Sequence, residues 1–426
     1  MDILIKSGRL IDPAASIDKT CDILIQDGKI VAIRSKLKPP ARTKRINANG
    51  MWVLPGLIDM HCHLRDPGDP EEETIKSGSF AAAAGGFTSI ACMANTSPPI
   101  DTPELVKYIK EKAKAEAKAH VYPIGAVTRG LKGEALTEMG RMLAEGAVAF
   151  SDDGKSIIDT GVLRHALEYV RQFCVPIISH CEDTGLSSGG MMNEGYYSTI
   201  WGLKGIPKLA EELVVQRNIM LAKEYNAHIH IAHVSTQGSV RLIREAKDRG
   251  IKVTAETCPH YFTLTEEAVE GYNVNAKVSP PLRSEKDRRA IIKGLKDGVI
   301  DVIATDHAPH KYEKKMIEFA RTANGMIGFE TAFPLVITEL TGKRLLTVRQ
   351  AVTKLTVNPA KILGIKKGTL KIGSDADMAI INPKEEYVID SAKMLSKSKN
   401  TPFHGKKVRG KIKYTICAGK IVYSDA

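Results

Sequence analysis

The sequence predicts an α/β fold: a (β/α)8 TIM-type barrel with a small β domain assembled from both chain ends. Three observations carry this reading. Eight short apolar runs, at 53–60, 89–93, 120–126, 147–150, 176–179, 229–232, 252–255 and 301–304, alternate with helix-like stretches, as a parallel sheet with crossover helices requires. Alternating strand-type runs centred on glycine occur near both termini. Five of the apolar runs end in histidine or aspartate, at the strand ends where a barrel collects its chemistry. A doubly wound open sheet is the competing architecture, but no Gly-x-Gly-x-x-Gly follows the first run.

In chain order, residues 3–11 and 23–31 each place a glycine, Gly8 and Gly28, between two alternating runs, the pattern of a hairpin. The run 53–60 opens the barrel. Helix-like stretches at 103–119, 161–173, 210–225, 238–249 and 285–297 then separate the later runs. After residue 360 the pattern returns to β: 368–381 reads as further short strands, and 414–423 repeats the hairpin signature around Gly419. The expected limits are 1–53 with 361–426 for the composite small β domain, and 54–360 for the barrel.

Composition bounds the class. With 43% hydrophobic and 26% charged residues over 426 positions, the chain is an ordinary globular protein with room for one large core and a smaller one. Its beginning, Met-Asp-Ile-Leu-Ile-Lys, lacks the basic-then-apolar order of a secretion signal. The most apolar long stretch, 80–94, is interrupted by Gly85, Gly86, Thr88 and Ser89, so no membrane span is expected. Seven scattered cysteines without a Cys-x-x-Cys point to a reducing cytoplasm rather than a disulfide framework. A net charge of +12 is compatible with steering an anionic substrate, meeting an acidic partner or solvated lysine surfaces. Basic stretches such as 107–118 and 393–413 lack interleaved aromatics, which excludes nucleic-acid binding and leaves solvated helix faces and loops.

The strand ends supply a ligand constellation. His61 and His63 close the first run, Ser151-Asp152-Asp153 the fourth, His180 the fifth, His233 the sixth and Asp306 the eighth. In a strand, alternate side chains share a face, so His61 and His63 present two imidazole nitrogens to one metal ion, with Cys62 turned away. The same parity groups His233 with Ile229 and Ile231, and leaves His228 and His230 as structural or surface residues. Asp153 runs with Ser151, Ala149 and Ala147, small residues suited to a barrel interior, whereas Asp152 runs with Phe150 and Val148; Asp153 is therefore the preferred ligand. His260, at the end of the seventh run, is a candidate neighbour of the site. Gly154-Lys155-Ser156 is no phosphate loop, because Ala149 occupies the position of the required glycine.

The motifs His61-Cys-His-Leu-Arg-Asp-Pro-Gly68, Cys92-Met-Ala-Asn-Thr96, Phe150-Ser-Asp-Asp-Gly154 and Ala304-Thr-Asp-His-Ala-Pro-His310 resemble those of the bacterial dihydroorotases of the amidohydrolase superfamily. His180-Cys-Glu-Asp183, Ala232-His-Val-Ser-Thr236 and Asn358-Pro-Ala360 share the resemblance. It runs from the N-terminal strands to Val422, within the branch that has an aspartate, here Asp153, in place of a carboxylated lysine. The resemblance implies one or two zinc ions: His61, His63 and Asp306 on one, His180 and His233 on a second, and Asp153 bridging. It also implies Asp306 as proton carrier, and Arg65, Asn95 and His310 as groups that bind the substrate carboxylate and ring, with His63 beside them. Ser279 stands where the family usually has Asn, Ala94 where it has Pro, and Asn324-Gly325 where a Phe-Gly or Pro-Gly pair is common; these departures bear on substrate contacts.

The implied activity is reversible cyclisation of N-carbamoyl-L-aspartate to (S)-dihydroorotate in pyrimidine synthesis. Two alternatives are a dihydropyrimidinase- or allantoinase-like cyclic amidohydrolase, and a non-catalytic scaffold for aspartate transcarbamoylase. A bridging aspartate argues against the first and a full ligand set against the second. Association with aspartate transcarbamoylase alongside catalysis, and a homo-oligomer, are further expectations. The residue types suit the chemistry. A metal lowers the pKa of water and polarises a carbonyl, and Asp306 can relay the proton. The planar fork of Arg65 matches a carboxylate, the competing reading being a salt bridge to Asp66 or Glu72. The stretch 310–325 leaves the eighth strand past the mouth and reads as a closing loop or as an ordinary short helix.

Overall fold

A computed structural model describes residues 2–38 and 40–425; the outermost expected domain limits, 1 and 426, lie outside them. One eight-stranded sheet draws on both chain ends. Its order runs Lys420–Ser424, Lys407–Cys417, Met378–Val388, Trp52–Pro55, Ile3–Asp12, Ile17–Gln26, Lys29–Arg34, with Lys44–Asn47 pairing alongside Ile3–Asp12. Ile3, Ile5, Ile23, Val53, Met378 and Ile416 share its core, so residues hundreds of positions apart bury one apolar surface.

Two of the three glycine-centred runs are hairpins. Asp27-Gly28 and Ala418-Gly419 have positive φ at both positions (47° and 78°, 47° and 73°), the geometry of a tight two-residue turn. The run around Gly8 is different: Ile3–Asp12 is one strand with a register shift between Ile5 and Gly8. A Cβ at Gly8 would lie 2.5 Å from Val53 Cγ2, so glycine here permits close backbone approach at a bulge. The segment before Met378, expected to hold further short strands, is turn and coil apart from a single bridge from Asp375 to Lys29.

The barrel strands are Leu57–Cys62, Phe87–Cys92 and His120–Pro123 in one parallel sheet, and Ile177–Ser179, Ile229–Ile231, Val253–Thr257 and Val302–Ile303 in another. The first apolar run is thus divided at Gly56: Trp52–Pro55 joins the terminal sheet and Leu57–Cys62 begins the barrel. The fourth position is held by Phe150, which bridges Gly125 on one side and Ile177 on the other. The eighth strand meets the first through a bridge from Cys62 to His307. The regular ladder is therefore interrupted in two places, next to Asp153 and next to Asp306.

Helices cover the outside, and four of them begin at polar caps. Thr102 precedes Pro103–Glu116, Asp159 precedes Thr160–Arg171, Thr236 precedes Gln237–Asp248 and Ser284 precedes Glu285–Lys296. In each case the side chain accepts a backbone N–H of the first turn, which satisfies a donor with no partner inside the helix. The buried faces of these helices share one core with Ile229, Ile231, Val253 and Ala255. Met60, Ala91, Ala149, Ile178, Ala232 and Ala304 form a separate apolar cluster.

That partition corrects the parity assigned to the sixth strand. Ile229 and Ile231 pack toward the helices, whereas His230, fully buried, lies on the barrel side beside Thr254 and Glu256. The expectation put His230 on the face opposite the barrel interior, as a structural or surface residue; its parity is what changes. It fails because two isoleucines are as well suited to the strand–helix interface as to the barrel interior. Among the described residues no helix is long and apolar enough to cross a membrane. All seven cysteines are free thiols.

Candidate functional site

Six residues from five strand ends converge. His61 and His63 leave the first strand; His61 Nε2 lies 3.4 Å from Asp153 Oδ1 and 3.6 Å from Asp306 Oδ1. His63 Nε2 lies 3.1 Å from Asp306 Oδ1 and 3.6 Å from Asp153 Oδ2. His233 Nε2 is 3.6 Å from Asp153 Oδ1 and 2.9 Å from His180 Nδ1. His233 arrives there because the strand has already ended at Ile231 and its own φ is 33°; the turn, not strand parity, aims it. Asp306 has φ of 47°. Left-handed backbone at non-glycine residues costs on the order of 1 kcal/mol or more and concentrates at working sites.

The arrangement of donors and acceptors calls for a cation. His61 Nδ1 donates to Glu256 Oε1 at 2.5 Å and His63 Nδ1 to Asn95 Oδ1 at 2.8 Å. In neutral rings this leaves both Nε2 atoms as bare lone pairs, yet these atoms face carboxylate oxygens. His61 Nε2, Asp153 Oδ1 and His233 Nδ1 are buried without a hydrogen-bond partner, a costly state for polar atoms. Two ligands of one tetrahedral zinc stand about 3.3 Å apart, given bond lengths near 2 Å. The nitrogen–oxygen separations of the site bracket that value. His61, His63 and Asp306 form one compact donor group, and His61, Asp153 and His233 another.

Electrostatics within the cluster are mutual. Burial pushes the Asp153 carboxyl up, but His61, His233 and His63 hold it well below the usual range. Asp306 behaves alike: burial opposes ionisation, and His63 and His61 overcome it. Burial disfavours a charged His61, while Asp153 and Glu256 lift its imidazole well above the ordinary value. The carboxylates are therefore ionised, and positive charge is favoured between them.

Glu256 was not among the expected site residues. It lies fully buried in Val253–Thr257, and against burial the imidazoles of His61 and His230 hold its carboxyl at about 2. A carboxylate on the far nitrogen fixes the tautomer and orientation of a metal-ligating histidine. The one signal in the sequence was an acidic residue in an otherwise uncharged strand.

Around this centre stand the other expected residues. Arg65 Nε donates to Pro309 O at 3.2 Å and lies 3.7 Å from Glu72 Oε2; Arg65 Nη2 is 3.5 Å from His310 Nε2. Asp66 pairs instead with Lys112 at 2.8 Å. His310 Nδ1 meets Glu72 Oε1 at 3.1 Å, and its Nε2 meets Asn324 O at 2.8 Å. Gly325 has φ of 131°, and a Cβ there would lie 2.7 Å from Ala308 Cβ and 3.1 Å from His310 Nε2. Ser279 lies two residues past Lys277, whose carbonyl accepts the Gly325 N–H at 2.9 Å. Asp152 turns away and accepts Val127 and Thr128 N–H at 2.8 and 3.0 Å. Cys62 donates to Ala91 O at 3.3 Å within the outer core. His260 is buried with Nε2 unpartnered, near Cys258 and Asp306, and burial lowers its imidazole to about 4.

The stretch 310–325 contains one helical turn, Tyr312–Lys315, and is tied down by buried ammonium groups. Lys277 Nζ donates to Phe319 O, Ala320 O and Thr322 O at 2.7, 3.1 and 3.1 Å. Lys315 Nζ donates to Ala323 O and Gly325 O at 2.8 and 3.0 Å.

A parallel α/β barrel that gathers histidines and aspartates at its strand ends, with unpaired ligand atoms between them, has the architecture of the amidohydrolases. Residues 50–239 match the dihydro-orotase-like family model and residues 290–423 that of the amidohydrolase family. A protein named dihydroorotase from Acetivibrio thermocellus is 54% identical over 423 residues, 99% of each chain. Another from Pelotomaculum thermopropionicum is 53% identical, over 100% of this chain and 99% of its own. The chain belongs to the dihydroorotase family. Among solved structures, an L-hydantoinase (dihydropyrimidinase) from Arthrobacter aurescens superposes with a TM-score of 0.90 at 28% identity, covering 100% of this chain and 96% of that one. A dihydropyrimidinase from Brevibacillus agri gives 0.86 at 25%, covering 100% and 95%.

Proposed function

We propose that this protein is a dihydroorotase: it opens the ring of (S)-dihydroorotate with water and closes N-carbamoyl-L-aspartate in the reverse direction, a step of pyrimidine synthesis. The observation that carries the reading is the pair of buried, unpartnered atoms facing each other at the centre, His61 Nε2 and Asp153 Oδ1, with Arg65 and His310 at the same mouth. His61, His63, Asp153, His180, His233 and Asp306 would hold zinc, as one or two ions. When bound, a divalent cation activates water and polarises the amide carbonyl.

The chain's own groups do the rest. Arg65 offers a planar fork to the substrate carboxylate, and His310 stands next to it. Asn95 holds the His63 ring through Nδ1 and so fixes the direction of Nε2. Asp306, kept ionised by His63 and His61, accepts a proton from the attacking water and delivers it to the departing ring nitrogen. The water oxygen joins the ring carbonyl carbon as the carbon–nitrogen bond breaks; the new carboxyl releases the second water proton to solvent, which leaves the two carboxylates of carbamoyl aspartate. The likeness to hydantoinase structures favours a related cyclic amide hydrolase as the second reading. A carboxylate-binding arginine at the mouth separates the two.

The test is hydrolysis of dihydroorotate against dihydrouracil, hydantoin and allantoin by zinc-loaded protein, with Asp306→Asn alongside. Turnover confined to dihydroorotate, reduced at least about 100-fold by the substitution while zinc content is kept, is the expected result. Turnover of the uncharged rings alone would transfer the protein to the hydantoinase-like reading.

A further inference from the structure

The segment 395–400, Leu-Ser-Lys-Ser-Lys-Asn, follows the barrel in sequence and forms no helix or strand. Its burial alternates: Ser396, Ser398 and Asn400 are buried, whereas Lys397 and Lys399 are exposed. Every second side chain from Ser396 to Asn400 thus turns inward, so two hydroxyls and an amide enter the protein. Small polar groups buried in this way need partners, and theirs all lie on two loops of the barrel mouth.

Ser396 Oγ donates to Glu73 Oε2 at 2.6 Å and Ser398 Oγ to Glu72 O at 2.8 Å. Asn400 Nδ2 donates to Ala308 O at 3.0 Å and to Gly325 O at 3.1 Å, while its Oδ1 accepts the His310 N–H at 3.1 Å. Glu330 anchors the start of the segment by accepting Leu395 and Ser396 N–H at 2.9 and 3.1 Å. One short stretch thus grips the loop after the first strand and the loop after the eighth. Glu72 links the two, because its carboxylate reaches both Arg65 and His310.

We propose that 395–400 is a strap that sets the spacing between Arg65 and His310, with Asn400 and Ser398 as positioning residues for the carboxylate end of the substrate. The proposal rests on the reading that Arg65 and His310 bind that carboxylate. Asn400 and Ser398 act through the main chain alone: Asn400 holds the backbone at Ala308, His310 and Gly325, and Ser398 the carbonyl of Glu72. A clamp used equally in the ground and transition states affects KM rather than kcat.

Asn400→Ala, Ser398→Ala and Ser398→Thr in the full-length zinc protein test it, by steady-state kinetics with dihydroorotate and by hydrogen exchange without ligand. Asn400→Ala is expected to raise KM about tenfold with kcat nearly unchanged, Ser398→Ala to raise it less, and Ser398→Thr, which keeps the hydroxyl, to resemble the parent. Exchange should rise in 66–73 and 308–325 and stay constant in the barrel strands. Unchanged exchange in those loops, a loss confined to kcat, or a Thr variant as impaired as the Ala variant would each overturn the strap. If the parent protein ignores dihydroorotate, the substrate reading fails and exchange alone decides the strap. If Asn400→Ala does not fold, the Ser398 pair carries the same comparison.

Discussion

Glu256 shows how much of a site rests on side chains that touch neither substrate nor metal. Its contact with His61 Nδ1 at 2.5 Å directs the other ring nitrogen into the donor cluster. Glu256→Gln keeps the size but removes the charge that favours the required tautomer, so zinc affinity should fall about 10- to 100-fold, measured by competition with a chelating dye. An unchanged affinity would leave Glu256 a packing residue. Glu72 makes a pH-dependent contribution. Against burial, His310 and Lys314 hold its carboxyl at about 2, below its ordinary 4.5. Its stabilisation is present above pH 4.5 and is lost as pH falls toward 2, because the unfolded chain takes up the proton first. The Tm gap between parent and Glu72→Gln should narrow from pH 7 to pH 3; a constant gap would remove Glu72 from the acid response.

At the scale of elements, the strands present the site and the turns aim it. Strand parity brought His61 and His63 together but misassigned the sixth strand, where His230 faces the barrel and the turn at His233 redirects a side chain. The loop 308–325 depends on Gly325, whose φ of 131° and close neighbours leave no room for a Cβ. Gly325→Ala should cost about 1–3 kcal/mol in stability and raise KM for dihydroorotate, measured by urea unfolding and initial rates. Equal stability and KM would show that the loop relaxes freely. The hairpin signal met a similar limit. Gly8 and Gly28 look alike in sequence, yet one permits a bulge against Val53 and the other a turn.

At the scale of the molecule, a metal that binds only the folded chain should also stabilise it. Chelation is expected to abolish activity and lower Tm, and zinc to restore both, with Tm rising with free zinc according to its affinity. Activity that survives complete metal removal would contradict the site as described. The two chain ends close one eight-stranded sheet, in which Met378–Val388 pairs with Trp52–Pro55 just ahead of the first barrel strand. Trp52–Pro55 belongs to that sheet and is followed within two residues by Leu57–Cys62.

Local patterns were enough to determine the alternation of strands and helices, the histidines and aspartates at strand ends and the family motifs. Each of these is written in residues adjacent or periodic along the chain, where side-chain direction follows from backbone geometry alone. The tertiary structure alone decided which face of the sixth strand looks inward, that Glu256 backs His61, that buried lysines tie down 315–325, and that the segment 395–400, which reads as solvated basic chain, holds the mouth. These depend on which distant groups meet inside a low-dielectric interior. There an unpaired polar atom is costly enough to select its partner, and no local pattern records who that partner is.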